Sequence, residues 1–223
     1  LSGSELDADL AAIRDFNERS PLAQVDTLEV KSDSADRISD IMRRVTDRLQ
    51  TYVEIPVDRD PGPLLAMIQR TGARAKVRTG GITRDAFPSP GALIRFVAAC
   101  IHFRVAFKAT AGLHHLVRAE YRLTYAPDSE RAPMFGFLNL FLAAAFLRAG
   151  MDEQEAQEVL QESSPSAFQI EDQAISWKGQ RLKLNDLRQA RQEVMVSFGS
   201  CSFTEPLTEL QLLHPLGPSV QQA

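Results

Sequence analysis

Apolar residues recur along this chain with two alternating periods, and the alternation predicts its elements. Leu6, Leu10, Ile13 and Phe16 stand three or four apart over 4–18, the stripe of a helix that Ser20-Pro21 ends. A short strand-like run follows at 25–30. Residues 34–49 return to the helical period with Ile38, Ile41, Met42 and Val45 on one face, behind Ser34, a residue type that caps helix N-termini. The order then repeats: strand 51–57, helix 61–70 opened by Pro61 and closed near Gly72, strand 73–79, helix 89–103, strand 105–111. Beyond Leu113 the rhythm changes. Residues 114–132 read as a loop, 133–149 and 152–162 as two helices, and 168–182 as a hairpin around Ile175, Trp177 and the turn Lys178-Gly179. Asn185 is expected to cap a short helix to about Glu193, and 194–198 forms a last strand before the turn Gly199-Ser200-Cys201-Ser202.

Strands alternating with helices pair in parallel through right-handed crossovers, so the fold class is α/β. Alternate residues of a strand face opposite ways. In these strands one set is apolar: Leu28 and Val30; Val53, Ile55 and Val57; Ala75 and Val77; Val105, Phe107 and Ala109; Val194, Val196 and Phe198. Those residues are expected under covering helices. The other set is Glu29 and Lys31; Glu54 and Pro56; Lys76 and Arg78; Lys108 and Thr110; Ser197 and Gly199. An open doubly wound sheet and part of an eight-stranded barrel both fit the strand count, and the polar second set favours the barrel. The prediction is a parallel (β/α) barrel of TIM type, its C-terminal five or six strands, with a helical insert before the last strand. In such a sheet the working residues lie at the carboxyl ends of the strands. A single domain spans 1–213, and 214–223, with its prolines and glycine, reads as a flexible tail.

Composition narrows the partners. A hydrophobic share of 44% suits one soluble globular core. The net charge of −4 and pI near 5.6 argue against nucleic acid and against an anionic membrane. The longest apolar run, 133–147, is shorter than the ~20 residues of a spanning helix and ends near Gly150, as a buried helix would. Cys100 and Cys201 lie far apart without ligand spacing, so neither a disulfide framework nor a zinc site is expected, and a reducing cytoplasm is the default location. Cys100 sits in an apolar helix and reads as core, and Cys201 as a small space-filler. The chain opens on Leu1 without the pattern of a signal peptide, which points to a fragment or processed product lacking the first barrel strands. An incomplete barrel has unpaired edges, which leaves homo-oligomerisation open.

Charge usage brings in the chemistry. The chain has five lysines against twenty arginines, yet Lys31, Lys76 and Lys108 all sit in strand-like runs. Lysine changes its pKa readily when desolvated and forms Schiff bases, which arginine does not. On the inner face Glu29, Glu54, Lys76 and Lys108 must pair, because an unpaired desolvated charge costs several kcal/mol. Such pairing splits pKa values and is one route to a lysine neutral near pH 7.

The run AKVRTGG, followed 32 positions after its lysine by FKATAGL, resembles the two consecutive lysine strands of the class I deoxyribose-phosphate aldolases. SFGSCS resembles the last strand and small-residue turn of the same barrels. That resemblance implies that Lys76 forms the imine, that Lys108 lowers its pKa, and that Glu29 stands where those enzymes carry a proton-shuttling aspartate. The chain departs from their glycine pair and isoleucine-arginine in having Ala111-Gly112-Leu113-His114-His115. The fuller phrases FKATAGLHH and FGSCSF are similar to those of an uncharacterised family of predicted barrel proteins, which implies the fold and no substrate.

Function is left between three readings. In the first, Lys76 condenses with a small carbonyl compound bearing an anionic group, Lys108 keeps it unprotonated, and Glu54 or Glu29 moves protons without any cofactor. Arg78 with Thr79-Gly80-Gly81, together with Thr110, His114 and Ser200, would hold the substrate, since glycine turns expose N–H groups and arginine offers a bidentate fork. In the second, the charges are a structural layer of a binding protein and the glycines merely turns. In the third, the glutamates hold a metal for enolisation, with one of His114 and His115 as a further ligand or as an acid/base. Adjacent residues at a strand end point opposite ways, so at most one of those histidines is expected to reach the site.

Overall fold

The computed structural model describes residues 5–46, 48–200 and 204–213. Helix α1 (Leu6–Arg19) precedes strand β1 (Thr27–Lys31), and α2 (Ala35–Arg44), β2 (Gln50–Glu54), α3 (Gly62–Thr71), β3 (Arg74–Arg78), α4 (Pro90–His102) and β4 (Phe107–Thr110) follow in strict alternation. Local chemistry explains the boundaries. Ser34 and Ser89 accept from Arg37 N and Ala92 N, and Gly72, left-handed at φ +70°, ends α3.

The parallel sheet has the order β1-β2-β3-β4-β10, where β10 is Met195–Gly199. Helices flank it, and the fold is α/β. Through β4 the set predicted to be apolar is buried, Val57 apart: Val53, Ala75, Val77, Phe107 and Ala109 are fully enclosed, with Leu65, Ile68, Phe96 and Val97 from the helices packed in the same core. In β10 a register shift between Met195 and Ser197 breaks the alternation, so Met195 is buried while Phe198, expected inside, is 38% exposed. Phe96 meets Phe107 edge-on at 5.4 Å, a favoured aromatic geometry. Among the described residues β1 and β10 are sheet edges, and no helix is long and apolar enough to cross a membrane.

The segment between β4 and β10 departs most from expectation. Residues 114–132, read as loop, contain β5 (Ala119–Arg122), which pairs antiparallel with β6 (Arg131–Met134). The helix read from 133 therefore starts later, as α5 (Phe137–Arg148). Pro133 lacks an N–H and is tolerated because β6 is an edge strand. Gly150, at φ +100°, stops α5 as predicted. After α6 (Glu153–Gln161), β7 (Phe168–Glu171), β8 (Ala174–Trp177) and β9 (Gln180–Lys183) make a three-stranded meander rather than one hairpin. Lys178 and Gly179 both have positive φ in the two-residue turn, the geometry that matches strand twist. Helix α7 (Leu184–Glu193) begins one residue before Asn185: its cap is Lys183, whose N–H is bonded by the Asp186 carboxylate at 2.9 Å. Helix α8 (Thr204–Leu213) lies where no element was expected, and Cys201, Ser202 and the tail 214–223 fall outside the described residues.

Asn139 ties the insert together. Fully buried, it donates from Nδ2 to Val159 O at 2.9 Å and Glu162 O at 2.8 Å, and its Oδ1 accepts from Arg118 N at 2.8 Å. Val159 O also accepts from Glu162 N at 3.3 Å, so the amide supplies a second bond there and satisfies Glu162 O and Arg118 N.

Candidate functional site

Parallel register sets the polar face. Glu29 lies beside Tyr52, Glu54 beside Lys76, Lys76 beside Lys108, and Lys108 beside Ser197. Residues paired in register share a face, so side chains from β1 to β4 converge there. Glu29 bridges the two amines: Oε2 accepts from Lys76 Nζ at 2.6 Å and Oε1 from Lys108 Nζ at 2.6 Å. Glu54 completes the group, with Oε2 3.0 Å from Lys76 Nζ, while Lys31 reaches Glu54 only at 3.9 Å from an exposed position. The side chains of Lys76 and Glu54 are 13% and 12% exposed, so this pair has little water to replace its partners.

Burial lowers the Lys76 pKa, but the hydrogen bonds and charges of Glu29 and Glu54 outweigh it and hold the ammonium above its ordinary value. The expected neutral lysine is thus absent from the resting site. Two carboxylates contact the one amine, and Lys108 is drawn to Glu29 instead of repelling Lys76 directly. Glu29 shifts the other way: burial raises its pKa, yet the bonds from Lys108 and Lys76 bring it below the ordinary range.

Tyr52 and Arg74 belong to this face and were missed in the sequence. Arg74 Nη1 donates to Tyr52 Oη at 2.9 Å, and Lys108 Nζ stands 5.6 Å from the Tyr52 ring centre. Lys108 is therefore held between a carboxylate and an aromatic face. The signal was present, since Tyr52 and Arg74 precede Glu54 and Lys76 by two residues.

The carboxyl ends of β3, β4 and β10 open into a cavity of about 690 Å³, walled on another side by the β5–β6 hairpin and by Glu205 of α8. Arg78, Gly81, Ala111, Gly112, His114 and Gly199 line it. Lys76 and Lys108 stand two residues below Arg78 and Thr110, about 7 Å down their strands. They lie beneath the cavity rather than in its wall. Thr79 is buried and donates through Oγ1 to Ala111 O at 2.5 Å, tying the two strand ends. Gly80 packs under Phe87, whose ring a Cβ there would enter, so of the glycine pair only Gly81 faces the cavity. Gly112, at φ +73°, comes so close to Gly80 that a Cβ would lie 3.0 Å from its Cα. Ala111 beside it is also left-handed, at φ +65°, unusual for a residue with a side chain. Thr110 Oγ1 is buried without a hydrogen-bond partner among the described residues.

Neither a protein-family model, nor a curated protein, nor a solved structure matches this chain. Its site is therefore read from its own chemistry.

Both adjacent histidines touch the cavity, against the expectation of at most one. The alternation rule fails here because the chain leaves the strand at Ala111 and Gly112 and turns through two positive-φ residues. Their partners differ. His115 stacks on Tyr121, rings 3.3 Å apart and 6° from parallel, and its Nδ1 lies 2.7 Å from Glu209 Oε1, while Glu209 Oε2 accepts from Leu116 N at 2.6 Å. Glu209 thereby fastens α8 over the strand ends. His114 is half-buried, and burial sets its pKa below the ordinary value against the pull of Glu205. Its Nδ1 is 3.4 Å from Ser200 Oγ. Ser200 itself lines a neighbouring apolar cavity beside Phe137 and Phe198. Among the described residues no three of His, Cys, Asp or Glu gather as metal ligands do. Cys100 is fully buried, and burial pushes its thiol well above the ordinary range, as suits core.

Proposed function

We propose that this chain is part of a (β/α) barrel lyase of the class I aldolase type, acting on a carbonyl compound with an anionic group through a Schiff base on Lys76. The observation that carries the reading is Glu29 bridging Lys76 and Lys108 at 2.6 Å each. A Schiff-base lysine needs a proton acceptor in contact, and Glu29 and Glu54 both qualify by distance. Lys76 passes a proton to one of them and its free amine adds to the carbonyl carbon. The carbinolamine loses water to give an iminium, which draws electrons from the carbon–carbon bond two atoms away. A carboxylate takes the proton of the departing hydroxyl, an aldehyde leaves, and the enamine is reprotonated at carbon and hydrolysed. Lys108 stays bonded to Glu29, and Arg78 at the cavity rim meets the anionic tail.

The test is borohydride reduction with a panel of small aldehydes and ketones, followed by peptide mass spectrometry. A reduced adduct on Lys76 that disappears in Lys76→Met supports the reading. Absence of any adduct across the panel ends it. The raised Lys76 pKa favours a second reading, in which the charges only hold neighbouring strands together in a binding protein. That reading expects Lys76→Met to lower the melting temperature while every ligand effect survives.

A further inference from the structure

The cavity above the lysines carries two features that a small polar carbonyl compound leaves unexplained. The first is positive charge. Arg122 and Arg131 are directly opposite each other across the β5–β6 pair, and both line the cavity with Arg78. Like charges at facing strand positions destabilise a hairpin. The Arg131 guanidinium is anchored by donating to Glu120 O, whereas the guanidinium groups of Arg78 and Arg122 have no hydrogen-bond or ion-pair partner among the described residues. Among the described residues the Glu205 carboxylate, on the α8 side, is the one acidic group of the lining.

The second feature is apolar surface at the mouth. Ile82 and Tyr125 are 74% and 77% exposed, from the β3–α4 loop and the hairpin tip, and both line this cavity. Leu123 and Met134 continue the apolar wall inward. A cavity of about 690 Å³ lies within the roughly 300–1,000 Å³ of ligand pockets that enclose drug-sized molecules.

We infer that the ligand of this cavity is an amphipathic anion, an aryl or long-chain alkyl carboxylate or phosphate, whose charge is met by Arg78, Arg122 and Arg131 and whose apolar part is covered by Ile82 and Tyr125. The assignment of the carbonyl to Lys76 rests on the Schiff-base reading above; the binding itself does not. An anion between Arg122 and Arg131 turns a repulsive pair into a recognition fork, and the apolar mouth closes over the remainder.

The test uses 3-phenylpropionate and phenyl phosphate, with propionate and inorganic phosphate as partners lacking the ring, all measured by calorimetry on the whole chain. None has a reactive carbonyl, so the result is independent of imine formation. The expected outcome is that at least one aryl anion binds roughly tenfold or more tighter than its ringless partner, that Ile82→Ser with Tyr125→Ser removes the difference, and that Arg78→Met weakens binding about tenfold. The carboxylate and phosphate arms tell which head group the arginines prefer. Arg122→Met is expected to weaken binding and yet raise the melting temperature of the free protein, because it relieves the facing charges. Equal or undetectable binding of aryl and ringless anions overturns the inference, as does an aryl preference that survives the double serine variant. Phenylpyruvate with borohydride then separates the two proposals: tight aryl-anion binding without an adduct sinks the Schiff-base reading and leaves this one standing.

Discussion

Lys76 is where burial and pairing pull in opposite directions, and pairing wins. Replacing it by methionine leaves Glu29 with Lys108 but strips Glu54, 12% exposed, of its close cation. We expect Lys76→Met to cost about 2 kcal/mol in urea unfolding, below the figure for a fully buried pair because Glu29 is 37% exposed and partly screened. Two left-handed glycines give a sharper contrast. Gly72 has open space around the position of a Cβ, whereas Gly112 faces the Phe87 ring and the Gly80 backbone. Gly72→Ala is expected to cost about 1 kcal/mol from backbone conformation alone, and Gly112→Ala roughly 2–4 kcal/mol, because neighbouring backbone cannot move aside. Thermal unfolding of the two variants side by side checks the order, and equal losses would show that Gly112 is not a packing constraint.

At the scale of elements, the β5–β6 hairpin and helix α8 complete the cavity above the strand ends. Glu209 is a polar anchor of α8, through His115 and the Leu116 N–H. In Glu209→Ala the amide protons over 204–211 are expected to exchange at least tenfold faster, while those of β2 and β3 keep their protection, since the sheet makes none of these bonds. Uniform acceleration across both regions would mean that α8 and the sheet open as one unit. Asn139 is the corresponding device for the insert. Asn139→Ala unpairs the Glu162 carbonyl and the Arg118 N–H and removes one of two bonds to Val159 O, and is expected to cost about 2 kcal/mol in urea unfolding.

For the whole molecule, the charge row makes a contribution to stability that has a plateau with two shoulders. Glu29 has a lowered folded-state pKa, so its contribution is full above the ordinary glutamate value and is lost as pH falls through the folded one. Lys76 has a raised pKa, so its contribution is full below the ordinary lysine value and is lost as pH rises through the folded one. The share of stability that this charge row contributes should therefore hold between about pH 5 and pH 10, so the urea-midpoint deficits of Glu29→Gln and Lys76→Met should be constant across that range and shrink at the acid and alkaline ends respectively. A deficit that stays constant over both ranges would remove the electrostatic account of the row.

By itself the sequence determined the order of strands and helices through β4, and which side of each strand is apolar. Period-2 and period-3.6 patterns are local properties, and a buried α/β core leaves them uncorrupted; this is why Glu29, Glu54, Lys76 and Lys108 could be put on one face before any coordinates. The residues 114–134 carried too short a pattern to read, because β5 and β6 have four residues each and pair with each other, and their hairpin buries only Leu123, Ala132 and Met134, in a small cluster apart from the main core. Only the tertiary structure decided the rest: that one carboxylate reaches both amines, so that Lys76 is held as an ammonium, that two histidines share one cavity wall, and that α8 is fastened there by Glu209. Each of these depends on register and on distances between residues far apart in the chain, and charge balance at close range is set by geometry that composition does not encode.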